Sequence, residues 1–348
     1  MYYVGLFIFV ISGFTLLFGF FAPDKVTWGK RKTRMKVITT YFPIMIVGLL
    51  ASLAFSGEGL SSNIAQIESE INKVEKAQQQ EKDSVEASNT ENSNNNELPI
   101  MQVDFIDVGQ GDAALLQYEH QDEDFNVLID SGDWQGNEAV EHLEKENIED
   151  IDLMALSHEH ADHIGQADDI IDNFNVQEVW LPGNEADTQV YESVLDSIEE
   201  NNVDYNEPRA GEEYQIGSLS VDVVSPQELT DDLNDDSIVM HLTYGDVKFM
   251  FSGDAETNAE QLMVKSDYDL SADILKAGHH GSNTSSITDY IEEVDPNISI
   301  VSVGEVNQYH HPHDDVIRRL NKYSDDVYLT KDDGTITIET NGIDYEVK

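Results

Sequence analysis

The sequence contains no cysteine, and this absence narrows the chemistry that the chain can perform. Without cysteine, no disulfide can stabilise an external domain, and no thiolate can serve as a nucleophile or a metal ligand. Any metal ion that the chain binds must therefore be held by His, Asp or Glu side chains.

Basic residues are scarce, at 19 Lys and Arg against 69 Asp and Glu, which gives a formal net charge of −50. Of these, 9 basic and 10 acidic residues lie before residue 99, so the rest of the chain carries 10 basic and 59 acidic residues, a net charge of −49. Such a domain repels itself and any polyanion, which argues against a nucleic-acid partner held by a basic groove. Because the Debye length falls to about 3 Å in 1 M salt, we interpret the acidity as an adaptation to saline surroundings. Sequestration of cations is the alternative.

Two apolar stretches stand near the start of the chain, at residues 2–22 and 37–56. Each is long enough to cross a hydrocarbon core of roughly 30 Å as a helix. The segment between them is basic, whereas no basic residue precedes the first stretch. Since basic loops stay in the cytoplasm, residues 1–56 are predicted to form a two-pass anchor in the cell membrane, with the C-terminal domain on the extracytoplasmic side. A signal peptide or a buried hairpin is the alternative, but neither stretch has a polar face.

Residues 57–98 are predicted to be a linker, partly helical and partly disordered. Ile64, Ile67, Ile71 and Val74 follow the a/d spacing of a short helix, which could self-associate weakly through residues 63–77. Residues 87–97 are rich in Ser, Asn and Glu, a composition typical of disorder. A plain solvated linker throughout is an equally good interpretation.

Residues 99–348 are long enough for one large core. Apolar strand-like runs alternate with amphipathic helix-like runs, and no internal repeat is present, so the sequence predicts an α/β domain. The predicted helices cover residues 140–146, 165–173, 188–201, 256–265, 286–293 and 314–323.

The run from Ser157 to His163 has the form HxHxDH and follows an apolar, strand-like stretch at residues 151–156. Side chains alternate along a strand, so His158 and His160 should lie on one side. The following turn brings Asp162 and His163 to a second point. The run therefore predicts half of a two-metal site for zinc, manganese or iron, with a solvated histidine-rich loop as the alternative.

Other apolar strands also end in polar groups. Asp130 closes residues 126–130, Asp254 closes residues 249–254, and His279 and His280 follow residues 273–278. Sites in layered α/β folds form at the carboxyl ends of strands. These ends are therefore expected to meet the HxHxDH run.

These segments resemble the metallo-β-lactamase superfamily. The sequence DVGQGD at residues 107–112, together with LKAGHHGS at 275–282 and YHHP at 309–312, is similar to the C-terminal hydrolase domain of ComEC-type competence proteins. The resemblance spans almost all of residues 103–339. It implies an αββα metallo-β-lactamase sandwich with a site for two divalent ions along one edge.

The resemblance implies two groups of ligands joined by one bridging carboxylate. His158 and His160 would bind the first ion, and Asp254 would lie between the two ions. The second ion would be bound by Asp162, His163 and one histidine of the pair His279 and His280. His279 is favoured as the ligand, with His280 beside it in the catalytic site, although the sequence does not order the pair.

One segment departs from the superfamily. Many members bring a third histidine to the first ion from a segment before the SGD sequence, but residues 233–237 contain none. His241 lies nearby in a strand and is interpreted as a core or edge residue, while His142 and His313 are interpreted as surface residues. The first ion is then expected to be more open or oxygen-ligated, which favours manganese beside zinc.

Further side chains are expected near the site on the same basis. His311 and its neighbour His310 are candidates to protonate a leaving group or to contact phosphate, with a capped helix start as the alternative. Asp130 is expected behind the histidines, where it would hold the loop, unless it is a simple turn residue. Three more residues are expected near the mouth of the site: Gln110, Asp112 and Ser282.

The predicted function is hydrolysis of phosphodiesters by a membrane-anchored, extracytoplasmic dinuclear metallohydrolase, with DNA as the leading substrate. Hydrolysis of another ester, such as a cell-wall phosphorylcholine ester, a lactone or a β-lactam, is one alternative, and a non-catalytic surface binding protein is another. Full ComEC proteins carry a many-helix channel and an OB-like domain. This chain shows neither, so it is not expected to be a DNA uptake channel itself.

Overall fold

Strands of alternating apolar and polar residues build two facing sheets. The computed structural model describes residues 97–348, so the predicted membrane anchor and nearly all of the predicted linker lie outside the described residues. None of the helices in residues 97–348 combines the length and the apolar character that a membrane span requires.

The first sheet has eight strands, in the spatial order β17-β16-β1-β2-β3-β5-β7-β8. Neighbours from β17 to β3 are antiparallel, and those from β3 to β8 are parallel. Its strands are β1 (Met101–Phe105), β2 (Ala114–His120), β3 (Glu123–Ile129), β5 (Leu153–Ala155), β7 (Glu178–Trp180), β8 (Asp204–Asn206), β16 (Ile336–Thr340) and β17 (Tyr345–Val347). A separate parallel pair joins β4 (Asp150–Ile151) to β6 (Asn175–Val176).

The second sheet has seven strands, in the spatial order β15-β14-β13-β12-β11-β10-β9. It is antiparallel from β9 to β12 and parallel from β12 to β15. Its strands are β9 (Glu213–Ile216), β10 (Leu219–Ser225), β11 (Val239–Tyr244), β12 (Val247–Phe251), β13 (Ile274–Lys276), β14 (Ile298–Val301) and β15 (Asp326–Leu329).

Helices cover the outer faces of both sheets, and three apolar cores separate the four layers. Side chains of both sheets form the central core, where Phe105 stacks on Phe251 with ring centroids 5.5 Å apart. The second core lies under the helices of the first sheet, and the third under those of the second sheet. The helices are α1 (Glu138–Lys145), α2 (Ala167–Asn173), α3 (Gln189–Asn201), α4 (Thr257–Lys265), α5 (Thr288–Val294), α6 (Asp314–Tyr323) and the single turn α7 (Thr330–Asp333).

The predicted αββα sandwich is confirmed for the described residues, and the six predicted helices are present with boundaries shifted by up to two residues. Five strands, β4, β6, β8, β9 and β17, are too short or too polar to be recognised from the sequence. They are two to four residues long, and β9 alternates only between exposed and half-exposed side chains. Such short polar strands carry no apolar period, and pairing with a neighbour is what makes them strands.

Candidate metal centre

The candidate site lies where strands of both sheets end. In the first sheet, β5 leads into the HxHxDH loop and β3 ends at Ile129, directly before Asp130. In the second sheet, β12 leads to Asp254, and β13 leads into a tight turn that carries His279 and His280. The carboxyl ends of these strands meet at one edge of the sandwich, so the two sheets contribute ligands in common.

The first group of ligand atoms comprises His158 Nε2, His160 Nδ1 and Asp254 Oδ2. The two ring nitrogens are 2.9 Å apart, and His158 Nε2 is 3.8 Å from Asp254 Oδ2. All three atoms lie within 4.8 Å of one another. His158 is fully buried, and burial lowers the pKa of its ring well below the ordinary value, which keeps it neutral and able to donate a lone pair.

The second group surrounds the other oxygen of Asp254. His163 Nε2 is 3.3 Å and His280 Nε2 is 3.7 Å from Asp254 Oδ1. Asp162 Oδ2 lies 3.3 Å from His280 Nε2. Asp254 therefore presents one oxygen to each group, which is the geometry that a bridging carboxylate requires.

Divalent ions fit these residues. His163 Nε2, His280 Nε2 and Asp254 Oδ1 are buried and have no hydrogen-bond partner among the described residues. A buried polar group without a partner costs about 1–3 kcal/mol, and such groups are rare in folded proteins. Three of them pointing at one place are explained by ligation of an ion, and imidazole with carboxylate is a donor set that zinc and manganese accept.

The carboxylates of the site remain anionic. Burial opposes ionisation of Asp254, but the imidazoles of His163 and His280 hold its pKa well below the usual range. Burial likewise opposes ionisation of Asp162, and its contact with His280 lowers the pKa of that carboxyl. Both groups are therefore available as charged ligands at neutral pH.

Asp130 orients His163 from behind. Its Oδ2 is 2.9 Å from His163 Nδ1, and its carboxylate accepts hydrogen bonds from the Ser157 amide at 2.6 Å and the Ser157 hydroxyl at 2.9 Å. With Nδ1–H donated to this carboxylate, Nε2 is the ring atom that faces Asp254 and could ligate an ion. This is the supporting position expected from the sequence, and such contacts usually fix the tautomer of a ligand histidine.

The structure reverses the order of the histidine pair that the sequence favoured. His280 is buried with Nε2 in the second group, and its Nδ1 is 3.1 Å from the Ser302 carbonyl oxygen. His279 Nε2 is 3.6 Å from Asp254 Oδ2, on the side of the first group, and its Nδ1 is 2.9 Å from Glu256 Oε1. Both residues have left-handed backbones, with φ of 49° and 52°, and this turn sends the two rings to different oxygens of Asp254.

The segment that lacks a histidine is occupied with other contacts. Asp235 accepts hydrogen bonds from backbone amides at the start of α4, and Asp236 accepts them from Thr230. Ser237 Oγ accepts the amide N–H of Asp254 at 3.1 Å. Both carboxylates are thus engaged elsewhere, whereas Asn234 Oδ1 is buried without a hydrogen-bond partner among the described residues, and His279 Nε2 lies 3.6 Å from Asp254 Oδ2.

His311 lies beside the histidine pair. Its ring centroid is 5.5 Å from that of His279 and 6.4 Å from that of His280. A Cβ at Gly281 would meet Pro312 Cβ at 2.6 Å, so the absence of a side chain there lets the two histidine segments pack together. Burial lowers the pKa of His311 to about 4, with the neighbouring His280 and His279 acting in the same direction. The ring is therefore neutral at pH 7 and suits hydrogen-bond donation better than proton transfer.

The remaining predicted residues lie near the site but do not belong to either group of ligand atoms. Gln110 Oε1 accepts the Gly304 amide at 3.3 Å, Ser282 Oγ contacts Thr284 Oγ1 at 2.8 Å, and His310 is exposed. Asp112 lies behind His280, with 3.4 Å between its Oδ1 and His280 Nδ1.

Two of the remaining histidines, His142 and His241, lie away from the site, and His313 packs against His311 with ring centroids 5.0 Å apart. His241 is buried on β11, as expected for a core or edge residue, and is 2.9 Å from the Ser271 carbonyl oxygen. His313 is partly buried, and its Nδ1 accepts the Asn283 amide. The interpretation of His142 as a surface residue is wrong, because its side chain is 9% exposed and its Nε2 is 2.9 Å from the buried Asp104 carboxylate.

Sequence reasoning missed two residues that support the site. Glu256 contacts His279, and Lys276 lies at the end of β13 with Nζ 2.6 Å from Asp112 Oδ2. The sequence position of Lys276 could have indicated its role. A single lysine that ends an apolar strand and precedes two histidines has no obvious exposed position.

Comparisons with known proteins show which family this chain resembles. The pattern that defines the Metallo-beta-lactamase superfamily matches residues 106–305. ComE operon protein 3 of Bacillus subtilis is 32% identical over 254 residues, which cover 68% of this chain and 32% of that protein. Recombination protein 2 of Haemophilus influenzae is 29% identical over 247 residues, which cover 69% of this chain and 29% of that protein.

This chain thus spans about a third of the length of the curated relatives that it matches. Among solved structures, the metallo-beta-lactamase fold protein YhfI from Bacillus subtilis is 12% identical, with a TM-score of 0.44, covering 66% of this chain and 96% of that chain. With the profile match and the ligand geometry together, the chain belongs to the metallo-β-lactamase superfamily and has homologues among the ComEC-type competence proteins.

Proposed function

We propose that this chain is a metal-dependent phosphodiesterase that uses two divalent ions, zinc or manganese. The observation that carries the proposal is the arrangement around Asp254, whose Oδ2 faces His158 and whose Oδ1 faces His163 and His280. Two ions at such a pair of positions lower the pKa of water, polarise a phosphoryl oxygen and stabilise the attacking and leaving oxygens of an in-line displacement.

The surrounding side chains have separate tasks in this proposal. Asp162 is 27% exposed, which makes it the accessible carboxylate of the second group, and it can orient the attacking water by accepting a hydrogen bond. His311, which is neutral, donates a hydrogen bond to a phosphoryl oxygen. Asp130 and Ser302 hold the two ligand imidazoles of the second group through their Nδ1 atoms.

We expect His311→Ala to lower kcat by about 10²-fold while both ions are retained. The ring contacts His279 and His280 only edge to face or through stacking, so its loss removes a hydrogen-bond donor rather than a ligand. His310→Ala is the matched control, because His310 is exposed on the same loop and should change kcat little. Metal content measured beside turnover decides the matter, since loss of an ion in His311→Ala would make His311 a ligand.

DNA is the phosphodiester that we propose as substrate. Two relatives are named for competence and for recombination, and exposed aromatic side chains flank the site. Tyr309 is 54% exposed and stacks on His311 at 5.6 Å, while the Trp134 amide bonds to Ala161 in the HxHxDH loop and its side chain is 55% exposed. Aromatic rings beside a site suit stacking with the bases of a single strand, which does not depend on a basic groove.

A substrate panel tests the proposal. The metal-loaded full chain would be given single-stranded DNA, the same strand with abasic positions, plasmid DNA and bis-p-nitrophenyl phosphate. A phosphorylcholine ester, a lactone and a chromogenic β-lactam would represent other esters. Cleavage of the phosphodiesters, with the base-bearing strand preferred over the abasic one, is the expected result. Turnover confined to the other esters, or no turnover at all, would remove the phosphodiesterase proposal.

We also propose that the chain is anchored in the cell membrane by residues 1–56 and that the hydrolase domain is extracytoplasmic, with weak self-association through residues 63–77. The basic segment between the two apolar stretches supports this topology. A protease added to intact cells is then expected to cut within residues 87–97 and release the domain. Permeabilised cells are the control, and cleavage seen only after permeabilisation would reverse the topology.

A further inference from the structure

Lys276 is a buried cation that the proposed function has not yet used. It is the last residue of β13, is 4% exposed, and places Nζ 2.6 Å from Asp112 Oδ2 and 2.9 Å from the Ala277 carbonyl oxygen. A buried ammonium group is costly unless it is paired and hydrogen-bonded. The position of this buried lysine beneath the candidate metal centre therefore indicates a role beyond packing.

The partner of Lys276 is held in a fixed place. The Asp112 amide donates to the Asp162 carbonyl oxygen at 3.1 Å, and the Asp112 carbonyl oxygen accepts the Gly132 amide at 2.8 Å. Asp112 is 4% exposed, and its Oδ1 has no hydrogen-bond partner but lies 3.4 Å from His280 Nδ1. One carboxylate thus stands between Lys276 and the back of a ligand histidine.

The surroundings of Lys276 strengthen the electrostatic effect of its charge. Within residues 97–348, Lys276 is the only Lys or Arg that pairs with any carboxylate of the site. Those carboxylates are Asp112, Asp130, Asp162 and Asp254. A small cavity of about 10 Å³, lined in part by Asp112, Asp130, Ser157 and Lys276, leaves room for about one water molecule. Charges so poorly hydrated interact strongly.

We infer that Lys276 is a positioning residue of the metal centre, which holds the Asp112 carboxylate behind His280 so that His280 Nε2 is directed at Asp162 and Asp254. The inference rests on the proposed metal-dependent function. Lys276 also offsets one of the negative charges that Asp112, Asp130, Asp162 and Asp254 bring to the site.

The test compares metal affinity in three variants of the full chain and in the wild type, by chelator competition with Mn²⁺ and with Zn²⁺. Lys276→Met should weaken binding of the second ion by about 10–100-fold, the usual effect of losing an outer partner of a ligand histidine. Lys248→Met is the matched control, since Lys248 lies on the neighbouring strand β12 and pairs with Asp269 at the surface. It should bind both ions as the wild type does.

The double variant Asp112→Asn/Lys276→Met separates positioning from simple charge pairing. It leaves no buried unpaired charge, so its melting temperature should return toward that of the wild type. Its affinity for the second ion should stay low, because an amide lacks the charge with which the Asp112 carboxylate attracts the Nδ1 side of the His280 ring, 3.4 Å away. Recovery of both quantities would overturn the inference, as would unchanged affinity in Lys276→Met or a wild-type chain that binds fewer than two ions. A wild type that binds two ions but cleaves no phosphodiester would remove the proposed function alone.

Discussion

Asp254→Asn should abolish phosphodiester cleavage while the fold survives. Asp254 is 1% exposed, and its two oxygens face different groups of imidazoles, at 3.3 Å from His163 Nε2 and 3.8 Å from His158 Nε2. Asparagine keeps the shape but offers one oxygen and no charge, so the two groups lose their common ligand. We expect a loss well above the roughly 10²–10³-fold cost of removing one stabilising group.

The measurement is turnover of bis-p-nitrophenyl phosphate beside metal content and melting temperature. Asp222→Asn is a suitable control, because Asp222 is a half-exposed carboxylate on β10. It lies 3.8 Å from His241 Nδ1, away from the site. It should retain activity and both ions. If Asp254→Asn kept full activity, the two-metal mechanism would have to be abandoned.

The melting temperature should rise steeply with salt, by about 10 °C or more between 0.1 and 2 M NaCl. Residues 99–348 carry 59 acidic and 10 basic residues. Their mutual repulsion is weakened when the Debye length shrinks from about 10 Å at 0.1 M to about 3 Å at 1 M. For a domain of this size each kcal/mol corresponds to about 2–4 °C, so relief of several kcal/mol produces a shift of that size.

An uncharged osmolyte at matched osmolarity is the control for this experiment, because it is excluded from the protein surface but does not screen charge. A melting temperature that stays flat in NaCl, or that rises equally in the osmolyte, would remove the interpretation of the acidity as a saline adaptation. Cation sequestration would then be the better explanation, and specific binding of many divalent ions would be its signature.

The local part of the site was predictable from sequence. The HxHxDH run brings its three histidines together within one loop after β5, where the His158 ring centroid is 4.6 Å from that of His160 and 4.2 Å from that of His163. Asp130 and Asp254 were predictable from a simple rule, since each closes an apolar strand. These inferences depend only on neighbouring residues in the sequence. The resemblance to the metallo-β-lactamase superfamily was needed to predict that the distant strands meet.

The other features of the site and of the fold depend on contacts between residues that are distant in the sequence, which no local pattern predicts. Which ring of the pair His279 and His280 faces Asp162 is set by two left-handed residues in one turn. The partner of Lys276 is 164 residues away, on a loop of the other sheet. The strand β9 exists only because β10 lies beside it. The predictions for residues 1–56 remain predictions.

The ligands come from both sheets, and this has a consequence for folding. His158 and His163 belong to the loop after β5, whereas Asp254 and His280 follow strands of the opposite sheet. Ion binding at this seam would therefore act as a removable crosslink between the halves of the sandwich. A site that forms only in the native state stabilises that state by mass action, by about 2.7 kcal/mol when the free ion is at 100 times its dissociation constant. The lifetime of the folded domain would therefore depend on the concentration of metal ions around the domain.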